Sequence, residues 1–200
     1  AMPMPTFWRA PTDNDSGNGF HLQSAQWKLA SLYRTCIEMQ LSKTDHSATV
    51  TCVYRLHTNP EAQCKVVYTL FGDGEVKLQM SYKGTEGMPS MPLFGIEFIV
   101  PQRYSHIEWF ANGPLENYSD RKHGTKLQRF QSEVCDEVTA YVVPQECGNR
   151  TGVRSAAVTD DEGRGLLFTS EEMELSVLPY TAHELENARH HFDLPKSRHT

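Results

Sequence analysis

The sequence has 200 residues, which is enough for one large β domain or two small ones with a sizeable core. A hydrophobic content of 38%, with 3 tryptophans, 8 tyrosines and 9 phenylalanines, excludes a disordered chain, and a formal net charge of -6 with scattered basic residues excludes nucleic acid and membrane as partners. No apolar run reaches the roughly 18 to 20 residues of a membrane span. Five cysteines without CxxC spacing favour reduced thiols, and hence a cytoplasmic protein.

The first segment, residues 6–19, places aromatics and an arginine ahead of a polar run, which predicts a long ordered loop. Asp13 and Asp15 are spaced like the start of a calcium-binding loop. The twelfth position of such a loop should carry a bidentate glutamate, but the sequence has Ser24 there. We therefore predict local Asx turns rather than a calcium site.

Alternation of apolar and polar residues predicts short strands from Gln26 onward. The glycines of Gly72-Asp73-Gly74 predict a tight hairpin. Thr181 and Glu184 fit a capping box, so we expect at most one short helix, near residues 181–188. Together these signals predict an all-β chain, with a single antiparallel β-sandwich domain over residues 1–200. The predicted strands cover residues 50–56, 64–70, 76–82, 94–100, 107–110, 138–143, 152–158, 166–169 and 175–178.

The stretch from Trp109 to Thr125 gathers carboxylates, amides, an arginine and aromatics without helical or strand periodicity. One interpretation is a polar binding site carried by a rigid sheet, since functional groups concentrate on such loops. The other is a loop whose backbone is satisfied by its own short polar side chains.

Three segments, in this order, carry a family resemblance. They are Arg-Ala-Pro-Thr-Asp-Asn-Asp at residues 9–15 with Gly17, Gly-Pro-Leu-Glu-Asn-Tyr-Ser-Asp-Arg at 113–121, and Tyr-Val-Val-Pro-Gln-Glu-Cys-Gly-Asn-Arg at 141–150. They resemble the small chain, or fifth domain, of bacterial β-galactosidases of the LacZ type, in glycoside hydrolase family 2. The resemblance implies a galactose-mutarotase-like antiparallel supersandwich. It also implies a parent enzyme that hydrolyses terminal β-D-galactosides such as lactose with retention.

The same resemblance assigns no catalytic residue, metal or cofactor to this chain. In that family the catalytic glutamates and most ligands of the magnesium and sodium ions lie in other domains. The family's active-site tryptophan is the last residue of a Gly-rich and acidic run that ends in Asp-Asp-Ser-Trp. That run has no match here, so we expect an incomplete fragment, truncated at its C-terminal end. The expected partners are the remaining domains of the parent and a galactoside sugar. An unpaired sheet edge would also favour self-association.

Carboxylates in polar loops leave a catalytic alternative open. A retaining glycosidase needs two carboxyls about 5 to 5.5 Å apart, and Glu116, Asp120 and Glu146 are the candidates. An arginine–carboxylate network uses the same residue types, and we favour that interpretation. We expect the loss of Asp120 to lower stability. The predicted network comprises Arg9, Asp13, Asp15, Glu116, Asn117, Asp120, Arg121, Glu146 and Arg150.

Two other functions are compatible with the sequence. A stand-alone carbohydrate-binding module would use aromatic rings to stack on sugar, and the candidates are Trp8, Trp109, Tyr118 and Tyr141. An aldose 1-epimerase-like enzyme would need a histidine and a carboxylate on one sheet face, with His106, Glu97 and Glu108 as candidates. The spacing of His183, His190 and His191 matches no metal-ligand pattern, which favours a solvated tail.

Overall fold

The computed structural model describes residues 2–200, apart from the side chain of Glu172. The described chain is mostly antiparallel sheet with short helices, which confirms the all-β prediction. The supersandwich arrangement stays a prediction. The strands are β1 (Met4–Thr6), β2 (Arg34–Lys43), β3 (Ser47–Leu56), β4 (Ala62–Phe71), β5 (Val76–Tyr82), β6 (Gly95–Glu97), β7 (His106–Gly113), β8 (Lys126–Glu133), β9 (Arg150–Thr159) and β10 (Gly165–Leu175). The α-helices are α1 (Asp13–Asn18), α2 (Phe20–Gln23), α3 (Ala25–Leu32) and α4 (Ala182–Asn187), with 3₁₀ turns at Val134–Glu137 and His191–Asp193.

The chain divides into two compact units. The N-terminal unit contains Met2–Arg9 and Asn14–Phe98, and the C-terminal unit contains Ala10–Asp13 and Ile99–Thr200. The single domain expected for residues 1–200 stays a prediction. No helix among the described residues is long and apolar enough to cross a bilayer.

The N-terminal unit is built on a four-stranded sheet in the order β2-β3-β4-β5. Its alternating pattern is as predicted, because Cys52, Tyr54 and Leu56 are buried while their neighbours on β3 are partly exposed. Tyr54 pairs with Cys64 across β3 and β4, which places the apolar residues of both strands on one face. The predicted hairpin joins β4 to β5.

Residues 13–32 form three helices, whereas the sequence predicts a loop followed by strands in this region. The helix α1 consists of turn-forming residues, so its propensity gives no helix signal. Within α3, Trp27 and Ala30 are buried, and the Trp27 ring lies 5.6 Å from the rings of both Phe7 and Tyr82. The indole N–H donates to the carbonyl of Pro89, 2.9 Å away. The expectation of at most one helix is therefore wrong, because packing outweighs local propensity here.

The C-terminal unit contains a second four-stranded sheet in the order β10-β9-β7-β8. Its core consists of Ile107, Trp109, Ala111, Val153 and Ala156, which project from β7 and β9. The predicted strands at 107–110 and 152–158 lie within β7 and β9, and the strand predicted at 166–169 lies within β10.

Several boundaries in this unit differ from the prediction. The strand β7 runs on to Gly113, so the irregular segment starts later than the sequence pattern indicates. Residues 138–143 form no strand, because the chain turns tightly where the Tyr141 N–H bonds to the Thr139 carbonyl at 2.8 Å. The strand β8 was missed because it is a polar edge strand, and the one predicted at 175–178 ends at Leu175. The capping box of Thr181 and Glu184 begins α4 as predicted.

Candidate functional site

Strand pairing brings two polar loops to one end of the C-terminal sheet. The strand β7 ends at Gly113, and β9 begins at Arg150 and runs antiparallel to it. The loop 114–125, which leaves β7, therefore meets the loop 138–149, which leads into β9. We call the polar groups that join these two loops to each other and to β9 the brace: Glu116, Asn117, Thr139, Tyr141, Gly148, Asn149 and Thr151.

Asn117 is the fully buried member of the brace, with 0% of its surface exposed. Its side-chain N–H groups donate to the carbonyls of Asn112 and Leu115, both at 3.0 Å. Its side-chain oxygen accepts from Thr151, from the backbone N–H at 3.0 Å and from the hydroxyl at 2.5 Å. Its backbone N–H donates to the Asn149 carbonyl at 2.8 Å, and its own carbonyl accepts from the Asn149 side chain at 2.9 Å. These bonds tie the loop 114–125 to the start of β9.

Glu116 ties the same loop to residues 139–148. Its Oε2 atom accepts from the Thr139 hydroxyl and from the Gly148 N–H, both at 2.7 Å. Its Oε1 atom accepts from the Tyr141 hydroxyl and from Arg121, at 3.0 Å for the arginine. Burial alone would raise the pKa of Glu116, but the hydrogen bonds from Tyr141, Gly148 and Thr139, with the charge of Arg121, lower it below its ordinary value. The carboxylate is therefore held ionised, with donors on both oxygens.

Gly148 has a conformation that suits its position in the brace. Its φ of +76° lies in the left-handed region, which favours glycine. A Cβ atom there would lie 2.8 Å from the side chain of Leu178 and 3.2 Å from the carbonyl of Glu137. Only a glycine can therefore present this N–H to Glu116 without displacing its neighbours.

A buried ion pair lies beside the brace. Arg150 and Glu137 approach to 2.6 Å, with 8% and 6% of their side chains exposed. The guanidinium also lies 5.0 Å from the ring of Trp109 and donates to the carbonyl of Gly148 at 3.0 Å. Burial raises the pKa of Glu137 although Arg150 opposes the shift, and burial also lowers the pKa of Arg150. The partners of this pair thus do not offset its desolvation, whereas the donors around Glu116 do.

Two aromatic side chains complete the outer side of the brace. The Arg121 guanidinium lies 4.5 Å from the centre of the Tyr118 ring, and it donates to the Tyr141 hydroxyl at 3.0 Å. Burial raises the pKa of both tyrosines. Both phenols are therefore neutral at pH 7.

In the structure, some of the residues predicted to form the network connect the two loops and others do not. Glu116, Asn117 and Arg121 connect the loop 114–125 to residues 139–151, as expected. Asp120 is exposed and has no hydrogen bond or ion pair within the described part of the chain, so its expected structural contribution is not supported. Glu146 is half-buried, and its charge helps to raise the pKa of the Tyr118 phenol.

The N-terminal members of the predicted network belong to two different sets of contacts. Within the N-terminal unit, Arg9 makes two hydrogen bonds to the Asp15 carboxylate, at 2.5 and 3.2 Å. Within the C-terminal unit, Asp13 exchanges two hydrogen bonds with Gln145, at 3.1 and 3.0 Å. The first set links residues six positions apart in the N-terminal unit, and the second joins Asp13 to the loop 138–149 of the C-terminal unit.

The candidate sugar-stacking aromatics are mostly covered. Trp8 and Trp109 are 4% and 3% exposed, so neither ring has a face available to a sugar. Tyr118 is half-buried under Arg121, and the hydroxyl of Tyr141 is engaged by Glu116. The sequence could not show this, because it does not reveal which side of a loop residue faces the core.

Two of the remaining candidates, His106 and Glu108, have different partners within the C-terminal unit. His106 lies between Glu133 and Asp161, 2.7 Å from each carboxylate, and Glu108 pairs with Arg129 at 3.1 Å. Glu97 belongs to the other unit. Across residues 2–200, excepting the Glu172 side chain, no three metal-ligating side chains are arranged to hold an ion.

The network predicted from the sequence did not include five residues of the site: Glu137, Thr139, Gly148, Asn149 and Thr151. Thr139 and Thr151 resemble ordinary strand threonines, and Glu137 lies in a short 3₁₀ turn. The sequence offered one signal, the polar run Asn149-Arg150-Thr151 at the start of a strand. A solvent-exposed sheet face does not require an amide side chain, so Asn149 could have indicated a hydrogen-bonded network at this point.

The fold and the site together describe a protein in which antiparallel sheets carry loops that are joined by polar side chains. The sequence profile described as "Beta galactosidase small chain" matches residues 1–200. The β-galactosidase of Halalkalibacterium halodurans is 41% identical to this chain, and the match covers 99% of the chain. The β-galactosidase of Priestia megaterium is also 41% identical, and the match covers 96% of the chain. The β-galactosidase small subunit of Latilactobacillus sakei is 32% identical, and the match covers 99% of this chain and 72% of that subunit. The chain therefore belongs to the β-galactosidase small-chain family, which confirms the resemblance.

The extent of the match differs between these relatives. The chain spans only about a fifth of the first two, at 20% and 19% of their length. Its matched segment is thus one part of those enzymes.

The first prediction concerns Glu116. Replacement by glutamine removes the charge that four donors share, and we expect a loss of about 1.5–3 kcal/mol in the free energy of unfolding at pH 7. The lowered pKa means that the ionised carboxylate stabilises the fold above its ordinary pKa of 4.5. This contribution is lost as the pH falls through the lowered value. Urea unfolding of both proteins should show a difference that shrinks below about pH 4.5.

The matched control for this experiment is Asp120→Asn, in the same loop. Because Asp120 is exposed and unpaired within residues 2–200, its replacement should change stability by about 0.5 kcal/mol or less. Equal effects of the two substitutions, or a Glu116→Gln effect independent of pH, would contradict the brace.

The second prediction concerns the buried ion pair. Either Glu137→Met or Arg150→Met alone leaves one buried charge without its partner, at a cost of about 3–5 kcal/mol. The double substitution should cost much less than the sum, because no buried charge remains. A double-mutant cycle by urea unfolding measures this coupling, and additive costs would show that the two residues do not act as a pair.

Proposed function

We propose that this chain is a non-catalytic part of a β-galactosidase, which lines the active-site cleft of its parent and supports assembly of the enzyme. The observation that carries the proposal is the brace itself. The best-placed carboxylate, Glu116, has donors on both oxygens and a lowered pKa, so it is suited neither to donate a proton nor to attack a sugar. The parent's catalysis, and any metal or other cofactor, would then be supplied by the rest of the enzyme.

Family membership supports this division of labour. The matched segment is about a fifth of two curated β-galactosidases, and a protein named as a β-galactosidase small subunit covers nearly all of this chain. Hydrolysis of terminal β-D-galactosides such as lactose is accordingly the activity proposed for the parent. A galactoside sugar is a proposed ligand of the assembled cleft. Five free thiols fit a cytoplasmic location, which we also propose.

Self-association of the isolated chain is a further part of the proposal. The edge strand β2 exposes Met39 and Leu41 by 66% and 60%. Such a strand offers unpaired backbone groups to another strand. A bulge between Cys36 and Glu38 limits how regularly a second strand could pair with it.

A graft into a relative tests the proposed function. The segment of the H. halodurans β-galactosidase that matches this chain would be deleted, or replaced by residues 1–200, and hydrolysis of nitrophenyl β-D-galactoside measured. We expect the deletion to be inactive, the graft to be active, and the isolated chain to be inactive. Activity of the isolated chain, or an inactive but folded graft, would overturn the proposal.

The non-catalytic role has its own control within the same graft. Substituting Glu116→Gln, Asp120→Asn and Glu146→Gln together should leave kcat of the folded graft within about threefold. A loss of a thousandfold or more, with the fold intact by circular dichroism, would identify a catalytic carboxylate in this chain.

A further inference from the structure

Two of the five cysteines lie on neighbouring strands of the N-terminal sheet. Cys36 belongs to the edge strand β2 and pairs with Tyr54 on β3, and Cys52 lies two positions before Tyr54 on the same strand. Residues paired across antiparallel strands project to the same side of a sheet, and so do residues two apart on one strand. The side chains of Cys36 and Cys52 therefore lie on one face, at diagonal positions.

The two thiols interact directly. A hydrogen bond joins the side chains of Cys36 and Cys52, and it favours the protonated form of Cys52. The Cys36 thiol also donates to the carbonyl of Glu38 at 3.3 Å. The strand register shifts between Cys36 and Glu38, and such a bulge bends a strand locally. A bent edge strand can supply the small backbone movement that a disulfide between diagonal positions requires.

The two cysteines differ in their access to solvent. Cys36 is exposed, whereas 0% of the surface of Cys52 is exposed. Burial raises the pKa of the Cys52 thiol, and the neighbouring Cys36 adds to the shift although Tyr54 opposes it. A dissolved oxidant therefore reaches Cys36 first, and Cys52 lies next to the oxidised sulfur. An accessible thiol beside a second, resolving thiol is typical of redox-sensitive cysteines.

We propose that Cys36 and Cys52 form a redox-sensitive pair, which a hydroperoxide converts into a disulfide and a small dithiol converts back into two thiols. The disulfide fastens the edge strand β2 to β3, and so restricts opening of the sheet from that side. The pair belongs to the N-terminal unit, whereas the brace belongs to the C-terminal unit.

The oxidation takes place in two steps. The deprotonated sulfur of Cys36 attacks a hydroperoxide, ROOH, and breaks its O–O bond. The sulfur becomes a sulfenic acid, and the leaving oxygen takes up the thiol proton to give ROH. The Cys52 thiol then attacks the Cys36 sulfur, so that an S–S bond forms and water leaves with the second proton. In total the two thiols lose two electrons and two protons, and the hydroperoxide is reduced to ROH and water.

Peptide mapping of the oxidised chain tests this pairing. The chain would be treated with an equimolar amount of hydrogen peroxide, alkylated with iodoacetamide and digested. We expect two of the five thiols to escape alkylation. They should appear as one linked pair of peptides containing Cys36 and Cys52, which is lighter than the two reduced peptides by two hydrogen atoms. Dithiothreitol should separate the pair, and in the oxidised chain the amides of β2 should exchange at least about tenfold more slowly.

Two substitutions separate the roles of the cysteines. In Cys52→Ala the sulfenic acid of Cys36 has no resolving thiol, so it should be trapped by dimedone. In Cys36→Ser neither a disulfide nor a dimedone adduct should form at Cys52. The matched control is Cys135→Ser. Cys135 is also exposed, but the side chains that act on it are those of Asp136 and Glu133 rather than a thiol, so the disulfide should form unchanged in this variant.

Three results would overturn the pairing. One is an oxidised chain in which no linked peptides of Cys36 and Cys52 are found. Another is a disulfide formed mainly between two copies of the chain, seen as a dimer on a non-reducing gel. The third is a disulfide that joins Cys52 to Cys64 on β4. The mapping needs only the unmodified chain, so a variant that fails to fold does not protect the proposal from refutation.

Discussion

The loops at one end of the C-terminal sheet depend on the buried side chain of Asn117. A primary amide has two donors and one oxygen with two acceptor positions, and all four are used, by Asn112, Leu115 and two groups of Thr151. Each of these donor or acceptor positions left without a partner would lower the free energy of unfolding by about 1–3 kcal/mol, since water cannot replace the lost partner. The loop therefore has one low-energy conformation. Glu116, one residue earlier, is positioned as a result.

Two glutamates near this point show how environment decides the contribution of one residue type. Glu116 is buried, yet four donors converge on it, and its pKa is lowered. Glu137 is paired with Arg150, yet burial is the stronger effect, and its pKa is raised. Charge on Glu116 therefore stabilises the fold at neutral pH, whereas charge on Glu137 is tolerated only because Arg150 is there. Counting ion pairs would treat the two as equivalent, and they are not.

How much could be predicted from sequence depended on the range of the interaction. Alternation along β3 and β4 predicted their buried face, because neighbours in the strand decide it. The polar composition of residues 114–125 predicted that Glu116 and Asn117 connect this loop to neighbouring segments. It could not separate Asp120 from them, since side-chain direction in a loop is set by distant partners. The helices in residues 13–32 were missed for the same reason: Asp13 is held by Gln145, 132 positions away.

The buried polar groups of the brace thus hold the two loops of the C-terminal unit in one arrangement. The most direct test of this account is hydrogen exchange of backbone amides followed by NMR. The N–H groups of Asn117, Gly148 and Thr151 should exchange only when the whole unit unfolds, and Glu116→Gln should release Gly148 while Thr151 stays protected. If Gly148 in the unmodified chain exchanges as rapidly as the exposed Asp120, the brace does not exist as described.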